Sequence, residues 1–149
     1  MSKSYVSTAL RQQVVARANS LCEYCLIHED DTYFGCQIDH IISEKHGGPT
    51  EADNLAYACS ICNRNKGSDV GSLLWETGEF VRFFNPHRDH WHEHFKLDDV
   101  AIIPLTNVAQ VTAKILDFNH VERLLERQEL RELGRYPSPE ATALIHQRR

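Results

Sequence analysis

Four of the five cysteines form two C-x-x-C pairs with the spacing of a metal site. Cys22 and Cys25 make the first pair, and Cys59 and Cys62 make the second. Two residues between thiolates let one tight turn direct both sulfurs at a single ion, and zinc prefers four such ligands in a tetrahedron. Because four thiolates leave no open position on zinc, the pattern predicts a structural site that does no chemistry.

Two alternatives compete with zinc at these cysteines. The pairs could be redox-active, or they could form disulfides, although five cysteines leave one without a partner. Two redox pairs on one small chain would be unusual. For the fifth, Cys36, we predict a small buried residue on a strand.

Between the two cysteine pairs, and directly after the second, stand polar residues that could act on a phosphate. Asp39 and His40 lie between isoleucines, which is typical of a strand that presents two groups at a cleft. Asn54 precedes a leucine, and Asn63 directly follows Cys62.

This pattern resembles the HNH endonuclease motif, also called the ββα-metal fold. The resemblance runs at least from Arg17 to Gly67 and includes the Gly-Gly loop at residues 47–48. The three letters of the motif correspond to His40, Asn54 and Asn63, with asparagine at the last position where the name has histidine. The resemblance implies an α+β fold: a small, treble-clef-like ββα-metal core with flanking N- and C-terminal helices.

The resemblance also implies a division of labour at the site. A neutral His40 would act as general base on water, since an imidazole titrates near the working pH. Asp39 and Asn63 would offer hard oxygens to one catalytic Mg²⁺ or Mn²⁺. By resemblance, Asn54 would hold the loop or ring of the base in place.

Each of these residues also has a purely structural interpretation. Asp39 could hydrogen-bond a turn, and His40 could be a satisfied core histidine. Asn54 could cap a helix, and Asn63 could be an ordinary surface residue.

Nearby basic residues are candidates for nucleic-acid binding. Arg64 and Lys66 follow Asn63, and Lys45 and His46 lie on the glycine loop, so all four are predicted phosphate contacts. Each could equally be a solvated side chain.

Two further segments attract attention. Four histidines lie between His87 and His94, and they could form a second metal site or contact nucleic acid. The surrounding residues resemble the tail of a bacterial branch of HNH proteins, which favours a structural role with Trp91 and Phe95 packed on the core.

A stripe of four arginines lies farther along, one every four residues; it comprises Arg123, Arg127, Arg131 and Arg135. Like charges at this spacing destabilise a helix, so we hypothesise an outside partner that extends the DNA path. Another subunit, acidic residues elsewhere in the fold and a simple solvated face are the alternatives.

Periodicity and turn residues predict the elements that must position these groups. Helices are expected over residues 7–19, 54–66, 108–118 and 120–133. One or two short strands are expected over residues 32–42, another over 80–84, and a loop over 46–49.

Composition limits the broad class. The 149 residues predict a single domain, with a motif core at about 17–67 and a C-terminal extension at about 68–149. No apolar run suggests a membrane segment or leader, so we expect a cytoplasmic protein, monomeric or homodimeric. The net charge of −5 argues against tight, non-specific DNA binding but less against DNA chemistry.

These observations predict an enzyme, namely a metal-dependent endonuclease that hydrolyses phosphodiester bonds of DNA, with RNA as an alternative substrate. The alternative is a zinc-stabilised nucleic-acid-binding module without activity, since a fold alone does not fix a function.

Overall fold

A two-stranded antiparallel sheet and the helix after it carry the residues predicted to act in chemistry. In the computed structural model, which describes residues 5–146, β1 spans Cys36–His40 and β2 spans Leu55–Cys59. α2, Ser60–Lys66, begins directly after β2. Two strands followed by a helix confirm the expected α+β class and the ββα core.

The helix predicted over residues 54–66 is wrong in its first half. Leu55, Ala58 and Ile61 fit a helical spacing, but residues 55–59 form β2. Every residue of β2 is buried, so the strand lacks the alternation of polar and apolar residues that would have revealed it. Pairing with β1, from Cys36 opposite Cys59 to His40 opposite Leu55, imposes the extended conformation.

The first helix supports the core from the N-terminal side. α1 spans Thr8–Arg17, as predicted, and the Ser7 hydroxyl caps it by accepting a hydrogen bond from the Leu10 N–H at 3.1 Å. Val14 is fully buried on its inner face. The predicted strand over residues 32–42 is shorter than expected, because residues 32–35 form no strand and β1 begins at Cys36.

Small strand pairs and helices follow the ββα core. β3 pairs with β4, and β5 pairs with β6, both antiparallel. The predicted strand near 80 and the two predicted C-terminal helices are present. None of the helices within residues 5–146 is long and apolar enough to cross a membrane. The bounds are β3 Gly71–Leu73, β4 Phe80–Arg82, α3 Trp91–His94, β5 Phe95–Asp98, β6 Ala101–Pro104, α4 Asn107–Ile115, α5 Val121–Glu132 and α6 Pro139–Ile145.

Aromatic residues from the C-terminal part pack against the first cysteine pair. The Trp91 indole N–H donates to the Tyr24 carbonyl at 2.9 Å, and the Tyr136 hydroxyl donates to the Cys25 carbonyl at 2.8 Å. The Phe95 ring lies 5.1 Å from the Trp91 ring, a favourable aromatic separation. The predicted packing of Trp91 and Phe95 on the core is confirmed.

Candidate zinc centre and active site

Four cysteine sulfurs converge where α2 leaves the sheet. The Sγ atoms of Cys22, Cys25, Cys59 and Cys62 all lie within 4.8 Å of one another and are buried. The 3.8 Å between Cys25 Sγ and Cys59 Sγ matches the edge of a tetrahedron with bonds of about 2.3 Å to a central ion. The donor set therefore fits zinc. Within residues 5–146, no other cluster of His, Cys, Asp or Glu side chains is close enough to share an ion.

Both cysteine pairs form the same kind of turn. The Cys25 N–H points to Cys22 Sγ and the Cys62 N–H points to Cys59 Sγ, each at 3.5 Å. All four cysteines are free of disulfides. Cys36 lies opposite Cys59 in the sheet, buried and outside the sulfur cluster, so its predicted structural role is confirmed.

A buried arginine from the C-terminal part contacts the sulfurs. The Arg123 guanidinium donates to Cys62 Sγ at 3.1 Å and to the carbonyls of Leu116 and Asp117 at 2.7 and 3.1 Å. Burial lowers the pKa of Arg123. The thiolate charges of Cys62 and its neighbours raise this pKa by more than burial lowers it, so it lies above its ordinary value. Burial also raises the pKa of the Cys22 and Cys62 thiols, so their ionised forms need nearby positive charge. Arg123 supplies part of that charge.

The four arginines of the stripe all have partners within the fold. Arg123 and Arg127 are buried, and Arg127 donates to the Val100 carbonyl at 2.8 Å. Arg131 pairs with Asp99, and Arg135 pairs with Asp31 at 2.8 Å. The hypothesis of an outside partner is therefore wrong for Arg123 and Arg127, whose guanidinium groups are buried. For the half-exposed Arg131 and Arg135 it stays a prediction, beside the acidic partners that they have within the fold.

His40 ends β1 and lies beside the glycine loop. Its Nε2 atom is 2.9 Å from the Thr50 hydroxyl and 3.6 Å from a Glu44 carboxylate oxygen. The side chain is 18% exposed, so the ring is held in place yet reaches solvent. A fixed imidazole with access to water is what a general base requires.

Asn54 braces the loop that follows His40. Its Oδ1 atom accepts a hydrogen bond from the Ile42 N–H, and its amide donates to the carbonyls of Ile42 and Pro49, all at 2.9 Å. A Cβ atom on Gly48 would come within 1.7 Å of the Ile42 carbonyl oxygen, so only glycine fits there. The amide thus ties both sides of the loop together and caps no helix.

Asp39 points to the opposite side of β1 from His40, because successive strand residues alternate. Its carboxylate is 4% exposed and accepts a hydrogen bond from the Tyr24 hydroxyl at 2.8 Å. The Lys66 ammonium, 1% exposed, lies 3.3 Å from both carboxylate oxygens and donates to the His40 carbonyl at 2.9 Å. Burial raises the pKa of Asp39 above its usual value, and the Lys66 charge opposes that rise.

A divalent ion does not fit Asp39 and Asn63 in this arrangement. The Asn63 amide donates to the Gln37 side-chain oxygen at 2.5 Å, at a partly exposed position on α2. Asp39 is already satisfied by Tyr24 and Lys66. The Asp39 carboxylate and the Asn63 amide offer oxygens of the type that Mg²⁺ prefers. However, the Lys66 ammonium already lies against the Asp39 carboxylate, where a metal ion would have to bind.

The comparison with known families agrees with this geometry. Residues 22–69, a minor part of the chain, match the family model described as HNH endonuclease. We refer to this matched segment as the HNH domain below. No curated protein and no solved structure matches the chain.

The predicted nucleic-acid contacts of the HNH domain fall into two groups. Arg64, Lys45 and His46 are exposed, and contact with phosphate remains a prediction for them. Lys66 is buried in its ion pair with Asp39, so it cannot reach a phosphate on the surface as we predicted.

Two of the four histidines after the HNH domain, His87 and His94, have structural contacts. His87 Nε2 lies 2.6 Å from the Leu55 carbonyl and 2.8 Å from the Arg17 guanidinium. His94 Nδ1 lies 2.7 Å from the Thr106 hydroxyl. Burial lowers the pKa of both histidines. These contacts support the structural interpretation of the segment.

Sequence reasoning missed several residues that contact the site. Tyr24 lies inside the first cysteine pair and bonds Asp39, while Thr50 and Glu44 flank His40. Of these three residues, only Glu44 could have been inferred from the sequence, because it lies four residues after His40. For Arg123, the like-charged stripe correctly indicated that the arginines needed partners, but not which ones.

Proposed function

We propose that the HNH domain hydrolyses phosphodiester bonds of DNA, with His40 as the general base. The observation that supports this most directly is the bracing of the His40 loop by Asn54. Three hydrogen bonds of 2.9 Å hold the loop, and the Thr50 hydroxyl orients the ring. A purely structural histidine would not need an arrangement that fixes the ring and leaves it open to water.

In this proposal, the attacking water gives its proton to the His40 imidazole. Glu44, 3.6 Å from Nε2, would stabilise the imidazolium that forms. The exposed Arg64 and Lys45 would attract the phosphates that flank the scissile bond.

The requirement for Mg²⁺ or Mn²⁺ on Asp39 and Asn63 remains part of the proposal. Such an ion would neutralise charge on the phosphate and on the leaving oxygen. It can bind Asp39 only if Lys66 leaves the carboxylate, since the ammonium is within 3.3 Å of both oxygens.

A second function is favoured by the same ion pair. Because Lys66 already satisfies Asp39, the domain could bind nucleic acid without cutting it. The Asp39–Lys66 pair would then be a structural feature, and zinc would be the single metal of the protein.

Plasmid relaxation separates the two functions. Supercoiled plasmid is incubated with wild type, His40→Ala and His146→Ala, with and without added Mg²⁺ or Mn²⁺. His146 is an exposed histidine at the end of α6 and serves as the matched control. Relaxation that needs both the ion and His40, and that survives in His146→Ala, supports the nuclease. Wild type that binds the plasmid but never relaxes it with either ion supports the binding module.

A further inference from the structure

Two adjacent aromatic side chains project from the surface near the zinc centre. Tyr33 is 95% exposed and Phe34 is 79% exposed, and their ring centroids are 5.5 Å apart at 57°. Single exposed apolar residues are common, but two large neighbouring rings in water are a recognised sign of a binding surface. Residues 32–35 form no strand, so strand pairing does not explain why two large rings stand here.

The two rings line a cleft of about 230 Å³ whose other walls are α2 and α5. Buried Ile27 and half-buried Ile61 contribute apolar surface, and the exposed Arg64 also lines the cleft. The volume lies below the roughly 300–1,000 Å³ of sites for drug-sized ligands, so the cleft suits one flat ring system.

Exposed Arg64 lies on the α2 side of the cleft, directly after Asn63. Among the hydrogen bonds and ion pairs of residues 5–146, none involves its guanidinium group. The four arginines of the stripe, by contrast, all have partners within the fold.

The α5 residues that line the cleft leave Arg64 as its exposed cation. Arg123 and Arg127 are buried and donate to Cys62 Sγ and to the Val100 carbonyl, and Glu126 beside them is an exposed carboxylate that would repel an anion in the cleft. A neutral ring can enter between the aromatic side chains and α2, while its phosphate stays at the exposed Arg64. Proteins commonly bind unpaired nucleotides by stacking the base on an aromatic ring while a nearby cation contacts the backbone phosphate.

We propose that Tyr33, Phe34 and Arg64 form a binding site for an unpaired nucleobase, beside the cysteine cluster and at the end of the β1–β2 sheet opposite to His40. This inference rests on the proposed action on nucleic acid, and it names the substrate class as nucleic acid with a single-stranded or extruded nucleotide. Stacking depends little on salt, unlike phosphate contacts, so it suits a protein whose net charge is −5.

The test compares affinities of the full-length protein for a fluorescent single-stranded DNA and for the blunt duplex of the same sequence. No Mg²⁺ or Mn²⁺ is added, so the DNA stays intact. The double variant Tyr33→Ala/Phe34→Ala is compared with Trp75→Ala, which removes an 80% exposed ring that lies near Lys114 instead. We expect the double variant to bind the single strand about tenfold or more weakly, with little change for the duplex. Trp75→Ala should remain within about twofold of wild type. Both variants alter exposed residues, so folding should be preserved.

Three results would overturn the proposal. The double variant could bind the single strand as tightly as wild type, or it could lose single-strand and duplex binding equally. Wild type could also bind no single strand at all, which would assign the rings to a protein partner. Plasmid relaxation keeps the two proposals apart. Single-strand binding through the rings without relaxation would contradict only the nuclease, whereas relaxation without such binding would contradict only this site.

Discussion

Removal of the Arg123 guanidinium should loosen the zinc centre. Arg123 is 6% exposed and donates to Cys62 Sγ at 3.1 Å, and it lies 3.8 Å from Cys59 Sγ. Its other amino group donates to the Leu116 and Asp117 carbonyls. Four thiolates on a divalent ion carry two net negative charges in a buried place, and Arg123 is the cation in contact with them.

The magnitude follows from what Arg123→Met leaves behind. Breaking a buried charge pair typically costs about 3–5 kcal/mol, and part of this comes from partners left without a hydrogen bond. If half of that loss falls on the zinc-bound state, about 2 kcal/mol corresponds to roughly a 30-fold weaker apparent zinc affinity. The expected effect is therefore between about tenfold and a hundredfold.

The assay measures zinc transfer to a coloured chelator, together with urea denaturation in excess zinc. Arg131→Met is the matched control, since Arg131 belongs to the same helix but its pair with Asp99 is half exposed. Arg131→Met should change stability by less than about 1 kcal/mol. Arg123→Lys should recover part of the effect, because it keeps the charge but cannot reach sulfur and both carbonyls together. Equal zinc release from Arg123→Met and Arg131→Met would refute the reasoning.

Three other changes test the rest of the site. Lys66→Met should lower the free energy of unfolding by about 3–5 kcal/mol. Mn²⁺ should stabilise this variant more than it stabilises wild type, because the ion can then bind Asp39 in place of the lysine. An equal Mn²⁺ response of the two proteins in thermal melts would contradict this replacement of Lys66 by the ion. Asn54→Ala should lower the free energy of unfolding by about 2–3 kcal/mol, since it leaves three backbone groups of the His40 loop without their hydrogen bonds. It should also slow plasmid relaxation by at least about tenfold. Relaxation at the wild-type rate would show that the loop does not need Asn54. Burial raises the pKa of Asp89, but the Arg82 guanidinium holds it below its ordinary value overall, so its carboxylate stabilises the fold above about pH 4 and less as the pH falls. Asp89→Asn should therefore cost about 1 kcal/mol at pH 7 and progressively less as the pH falls below about 4 in urea melts, and a gap that widens with falling pH would contradict this sign.

The cluster of four cysteines could be predicted from sequence because the geometry of each pair is local. Two residues between thiolates fix one turn, and only the meeting of the two turns requires the fold. β2 could not be predicted in this way. Leu55 and Ala58 fit a helical spacing equally well, and the burial of every residue in the strand comes from β1 on one side and from packing on both faces.

The partner of Asp39 could not be predicted for a related reason. Lys66 lies 27 residues away, one turn after Asn63 on α2. From the sequence, a lysine near the motif resembles a phosphate contact, because exposed lysines are common and buried ones are rare. Only the packing of α2 on the sheet turns its ammonium inward, where the charge of Asp39 offsets the cost of burial.

The positions of the charges also explain why the net charge of −5 is a poor guide to nucleic-acid binding. Arg123 and Arg127 are buried and serve sulfurs and carbonyls, so they contribute nothing to a basic face. Zinc on four thiolates would make the folded protein more negative than the sequence suggests. Long-range attraction of DNA would then be weak, and the proposed action on nucleic acid would depend on a few exposed groups such as Arg64 and on contacts that need no charge. In our proposal the exposed rings of Tyr33 and Phe34 supply such contacts, since stacking remains at salt concentrations that screen phosphate contacts.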